Sequence, residues 1–190
     1  MVQPTATDRF VSHLEALSAK GDRAALAVLR RGLSGEPAAM ARVYPLVVPW
    51  LPRGAPPWRE DAFYTAASLY ALHPQSWPRE RSGPRDFGAS FAWLRNRAAS
   101  DQAIDRRFQA LLACHGDELP DHLRHAVSLL AANDVPVDWA QLIGDILNWR
   151  ADERFVQRRW ARSFWGQAAN TQTVTDGADE GVEPQEDSED

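Results

Sequence analysis

Apolar residues recur at spacings of three, four and seven along almost the whole chain, and no segment alternates apolar with polar over a convincing length. That pattern leaves the helix as the available regular element. It predicts an all-α fold, a compact bundle of eight or nine helices, or two small helical lobes meeting near 99–101. A first helix is expected from about Thr7 to Lys20, turning Phe10, Leu14 and Leu17 inward and closed by Gly21. Asp22 can cap a second that ends near Leu33. Pro37 suits the first turn of a third, Ala38 to about Val48, strained by Pro45 and broken by Pro49. A fourth runs from near Trp58 and stops before Pro74, and a fifth covers Phe87–Ala98. The sixth opens after Ser100 or Asp101 and buries Ile104, Phe108, Leu111 and Leu112. The seventh spans Pro120 to about Ala132, and Asp138 caps an eighth carrying Trp139, Leu142, Ile143 and Ile146. Between the fourth and fifth, residues 74–86 are rich in Pro, Ser, Gly and Arg without apolar periodicity, which reads as a mobile or functional loop.

The last helix is expected from Trp149 to Trp165. Arg150, Arg154, Arg158 and Arg162 step by four, so they form a ridge along one face, with Arg159 on the same side. Trp149, Val156, Trp160 and Phe164 fall on the other, at the spacing of a buried face. Such a helix docks its aromatic back on a core and shows guanidinium groups to something outside.

The chain carries 21 Lys and Arg against 26 Asp and Glu, a net charge of −5. The acidity is local. Eight of the 26 acids lie after Trp165, where there is no Lys or Arg, so the rest holds 21 basic against 18 acidic residues. Residues 167–190 have few sizeable apolar side chains and read as a disordered acidic tail, with 1–166 as the helical domain. The tail is either a solubilising extension or an acidic mimic that competes with a polyanion for the arginine face. A single cysteine, Cys114, excludes an intramolecular disulfide and fits a reducing cytoplasm. Neither an export signal nor an apolar run long enough to span a membrane is visible.

Catalytic patterns are missing. There is no G-x-S-x-G elbow and no glycine-rich phosphate loop, and Lys20 is the only lysine. Asp101 and Asp105 lie one turn apart, but a cap followed by a first-turn acid explains them. Cys114, His115, His122 and His125 fall within twelve residues, yet adjacent Cys114 and His115 do not readily face one ion. No enzyme activity, cofactor or metal site is therefore expected. What the chain does carry is arginine on nearly every helix, including the pairs Arg30-Arg31, Arg106-Arg107 and Arg158-Arg159, with Arg59, Arg95, Arg97 and Arg124 between them. Guanidinium groups match phosphate oxygens in a bidentate way and stack on bases. Trp58 and Trp77, beside Arg59 and Arg79, suit base stacking on a single strand.

Several stretches in succession carry a resemblance: AVLRRGL, YPLVVPWL, YTAASLYALHP, DFGASFAWLR, the long run from IDRRFQALLACHGDELPDHLRHAVSLL to DILNW, and VQRRWARSFW. The order and spacing of this series, over residues 7–165, resembles the CasB family, the small subunit of the type I-E CRISPR surveillance complex Cascade. The resemblance implies a non-catalytic, all-helical subunit present as two copies in the complex. It implies partners in the backbone and large subunits, in guide RNA and in target DNA, whose displaced strand a basic surface holds while the guide pairs. The matching positions are Arg30, Arg31, Arg106 and Arg107, then Arg124, Arg150, Arg158, Arg159 and Arg59; Arg95, Arg97 and Arg162 complete the candidate surface. The alternative is a helical adaptor whose arginines make subunit interfaces without touching nucleic acid.

Overall fold

The computed structural model describes residues 3–78, 82–98 and 101–175, with side chains of the last helix as far as Gly166. Nine α-helices are present among them: α1 (Ala6–Ala19), α2 (Arg23–Arg31), α3 (Pro37–Val47), α4 (Pro57–Leu72), α5 (Phe87–Arg95), α6 (Asp101–Ala113), α7 (Leu119–Ala131), α8 (Trp139–Leu147) and α9 (Phe155–Thr175). Short 3₁₀ turns follow α2 and α3. The all-α expectation holds; the described residues contain no strand, only an isolated parallel bridge between Ser76 and Val137. The expected acidic tail lies outside the described side chains, and beyond Thr175 outside the described residues altogether. Part of the expected lobe boundary, residues 99 and 100, also lies outside them. No helix among the described residues is long and apolar enough to cross a membrane.

Local chemistry sets the helix ends. Thr5 and Asp8 form a capping box at α1, with Asp8 N donating to Thr5 Oγ1 and Thr5 N to Asp8 Oδ2. Asp22, Asp86 and Asp138 each accept the amide three residues on, at the starts of α2, α5 and α8. Gly21 and Gly35 take left-handed backbone (φ +68° and +67°), the first turning α1 into α2. Every α-helix contributes to one apolar core, from Phe10 and Leu29 through Phe63, Phe91, Phe108 and Val127 to Trp139, Trp160 and Phe164. Rings fill its centre: Phe108 meets Phe91 at 5.0 Å and Phe164 at 4.3 Å, and Trp160 meets Phe87 at 5.1 Å.

The most extensive helix pairing is α5 on α9. It depends on Gly88, where a Cβ would overlap the carbonyl oxygen of Trp160 and lie 2.7 Å from its Cα. Backbone cannot yield as a flexible side chain can. Gly88→Ala should therefore lower stability by about 1–3 kcal/mol, as overpacking does, read as a fall in the urea midpoint.

Two expectations are corrected. The first is the start of the last helix, which opens at Phe155 and not at Trp149. The carbonyl of Trp149 accepts the Gln157 side chain at 2.9 Å, its indole donates to Cys114 O at 3.3 Å, and Arg154 sits at φ +49°. The four-residue arginine step continues through this turn, so the spacing mimics a helix that the backbone does not make. Arg150 and Arg154 consequently do not share a helical ridge with Arg158 and Arg162. The second concerns Trp77, near the start of the 74–86 loop. That start is stitched to the connection before α8: Trp77 N donates to Val137 O, Val137 N to Gln75 O, the Trp139 indole to Gln75 O, and His73 Nε2 bonds Val135 O at 2.7 Å. Trp77 is buried, with its indole on Ser90 Oγ, and is no stacking platform. Residues 79–81 of this loop, including Arg79, lie outside the described residues.

Candidate nucleic-acid interface

The arginines divide into those held by the fold and those presented by it. Arg159 belongs to the first group. Its guanidinium pairs closely with Asp145 and its Nε lies 3.6 Å from Asp86, both carboxylates being buried. Asp145 also accepts the Trp160 indole and the Gln141 amide, and Asp86 accepts Ser163 Oγ at 2.8 Å. Arg95 is likewise held: half-buried, it stacks over the Phe164 ring at 4.5 Å, lies 3.8 Å from Asp105, and donates to Phe164 O. Both were expected on the binding surface; both instead tie α9 to its neighbours. Arg150 pairs with Asp117 at the surface, and Arg154 donates to Leu112 O at 2.6 Å.

Burial raises the carboxyls of Asp86 and Asp145 above the ordinary aspartate value of 3.8, their hydrogen bonds and Arg159 opposing it without cancelling it. An acid whose folded pKa exceeds its unfolded one favours folding below 3.8, and that contribution is lost as pH climbs through the raised value. Asparagine at position 86 keeps the cap and fixes the neutral form. The stability of Asp86→Asn relative to the parent chain should therefore improve between about pH 4 and about pH 7, as measured by urea denaturation across that range.

The presented arginines converge in two adjoining grooves. One, of about 720 Å³, is lined by Arg30 and Arg31 from α2, Arg42 from α3 and Arg124 from α7, with Glu36 as its single carboxylate. The second, of about 530 Å³, lies between α6 and α7 and is lined by Arg107, His122 and His125 over an apolar floor of Phe91, Leu111 and Leu129. Ser128 lines both, so α7 is the shared ridge and the two form one strip. Among the described residues, Arg31, Arg42, Arg107 and Arg124 have no ion pair. Arg30 is partly committed, donating through Nε and Nη2 to Ala71 O at 3.1 and 2.9 Å near the C-terminal end of α4.

The local sequence explains this placement. Leu29 on α2, Val43 on α3, Phe108 on α6, and Leu123 and Val127 on α7 are buried, which leaves each arginine beside an anchored apolar neighbour and itself exposed. Of the expected surface, Arg30, Arg31, Arg107 and Arg124 are brought together. Arg106, Arg158 and Arg162 are exposed but line neither groove, Arg97 lies over the Trp93 ring at 5.4 Å, and Arg59 sits beside the exposed Trp58 at the start of α4. Arg42 was missed. Its signal was available: it directly precedes the buried Val43, as Arg107 precedes the buried Phe108. His122 and His125, weighed above as metal ligands, line the strip instead, and no group of three His, Cys, Asp or Glu among the described residues is placed to hold a metal ion.

Comparison with known proteins agrees with this architecture. Residues 25–165 match the family described as CRISPR-associated protein Cse2. A Cse2 protein of Thermus thermophilus is 36% identical over 168 residues, 86% of this chain and 92% of that protein. The crystal structure of M. ruber CasB superposes with a TM-score of 0.76 at 29% identity, over 90% of this chain and 99% of that one. A chain of a CRISPR RNA-guided surveillance complex superposes at 0.68 with 27% identity, covering 92% and 98%. The family match takes in every residue of the strip, and the chain belongs to the CRISPR-associated Cse2 family.

Proposed function

We propose that this chain is the small subunit of a type I-E CRISPR surveillance complex, and that its arginine strip holds the displaced DNA strand while guide RNA pairs with the other. The observation that carries the reading is the sharing of Ser128 by two grooves, which joins five arginines from four helices into one cationic track. Exchanging a DNA duplex for a heteroduplex is nearly balanced, so contacts that capture the freed strand tip it towards the open state. Guanidinium contacts to phosphate oxygens position a strand and carry no sequence information of their own. The subunit contributes no chemistry of its own and works in the cytoplasm as one of two copies beside the backbone and large subunits. Exposed Tyr44, Val48 and Trp50, on α3 and the turn after it, supply apolar surface for those neighbours.

The reading is tested by salt. Each single-strand phosphate neutralised lowers log K by about 0.7 per log unit of salt, so engagement of all five arginines gives a slope of about −3.5 for an unstructured oligothymidine. A slope near zero in filter binding, or binding that depends on base sequence, would sink the strand-holding role.

A further inference from the structure

Residues 176–190 carry eight carboxylates and no Lys or Arg, and they lie beyond the part of the chain that matches the Cse2 family. They follow α9, which packs chiefly on α5 and midway along its length meets α6, the Phe108 ring lying 4.3 Å from Phe164 and 5.7 Å from Trp165. Phe108 is next in sequence to Arg107, the α6 end of the cationic strip. The helix runs on for about 16 Å from Trp165 to the start of the acidic segment, a distance the segment can span back to that end of the track. The segment's fifteen residues reach up to about 50 Å when extended, more than the roughly 40 Å breadth of a domain this size.

We propose that the acidic segment 176–190 docks on the arginine strip of its own chain and is displaced from it by nucleic acid. The proposal rests on the strip being a polyanion surface, the reading given above. Charge complementarity supports it: four arginines without an ion pair among the described residues share the grooves with one lining carboxylate, Glu36, and eight acids are within reach. Tethering supplies the rest. Belonging to the same chain holds such a segment at an effective concentration of about 1 mM. For an intrinsic dissociation constant of about 0.1–0.3 mM, the tethered segment weakens a competing strand about four- to elevenfold. A long strand with more phosphates still wins, whereas short or weakly charged anions are kept off.

Two measurements on the full-length chain decide it. In the first, a nitroxide is attached to Ser188→Cys; Cys114 is buried, with its thiol pushed up to about 11 chiefly by that burial, and does not compete for the reagent. Amide signals of Arg31, Arg42 and Arg124 should broaden at about 50 mM salt and sharpen at about 500 mM, where screening is short-ranged, or on adding a twenty-nucleotide oligothymidine. These residues lie on α2, α3 and α7, whereas α9 packs chiefly on α5 and meets α6 through Phe108, so proximity of the tether alone does not account for them. In the second, every Asp and Glu of 176–190 is changed to Asn or Gln, and affinity for the oligothymidine should rise about four- to elevenfold at low salt. Broadening that is absent, or spread evenly over the surface, overturns the docking even if affinity rises, because general repulsion would then explain the gain. Broadening on the strip with unchanged affinity overturns the competition. If neither form binds the oligothymidine while the strip still broadens, the docking is supported and the strand-holding role falls.

Discussion

Arg159→Ala should destabilise the protein by about 3 kcal/mol at neutral pH, while Arg158→Ala should shift it by no more than about 0.5 kcal/mol. The two are sequence neighbours with different surroundings. Arg158 is exposed and lacks an ion pair among the described residues. Arg159 is the cation between two buried carboxylates, and removing it leaves Asp86 and Asp145 charged in the interior. Breaking a buried pair in this way costs about 3–5 kcal/mol; the lower end applies because the arginine side chain itself is 38% exposed. The deficit should shrink as pH falls, since protonation removes the uncompensated charges. Urea denaturation at about pH 7 and about pH 4.5 measures both effects. Equal, small losses for the two variants would show that the buried acids do not depend on Arg159.

Replacing Arg31, Arg107 and Arg124 together by alanine should weaken single-strand binding about a hundredfold at 0.1 M salt, with the fold retained. Each lost phosphate contact forfeits about 0.7 log units at that concentration, and the three residues stand on three helices spanning both grooves. All three are exposed and lack ion pairs among the described residues, so stability should move by about 0.5 kcal/mol or less for each. The salt slope should flatten by about two units at the same time. The same substitutions at Arg106, Arg158 and Arg162 are the matched control, being exposed but outside the strip. An effect of equal size in the control would mean that charge, and not this track, governs binding.

Helix existence and most boundaries were legible in the sequence because caps and breakers act locally. Asp22 and Asp138 announce α2 and α8, and the apolar phase of Leu123, Val127 and Leu130 fixes the buried face of α7. The failures lie where tertiary partners decide. Nothing near Arg159 in sequence reveals that Asp86 will reach it, since 73 positions separate the two. A four-residue step of arginines reads as a helix through Trp149–Arg154, but a side chain of α9 takes the carbonyl that a continued helix would have used. Trp77 sits in a Pro- and Arg-rich loop and looked accessible, yet strand-like hydrogen bonds to the Val137 segment carry it inside. Of the strip, four members were visible as outward cations. Their convergence was not, because it depends on how α2, α3, α6 and α7 pack.

Leu119, Leu123, Val127 and Leu130 root the shared α7 ridge in the interior. The separation of the two channels on either side of it is consequently set when the protein folds, and not when a ligand arrives. A strand crossing that ridge meets a track of fixed gauge, and the ordering penalty on capture falls mainly on arginine rotamers, about 0.5–1.5 kcal/mol for each one immobilised. On the proposed strand-holding role, such a rail lets go and re-grips along its length without the helices themselves having to move.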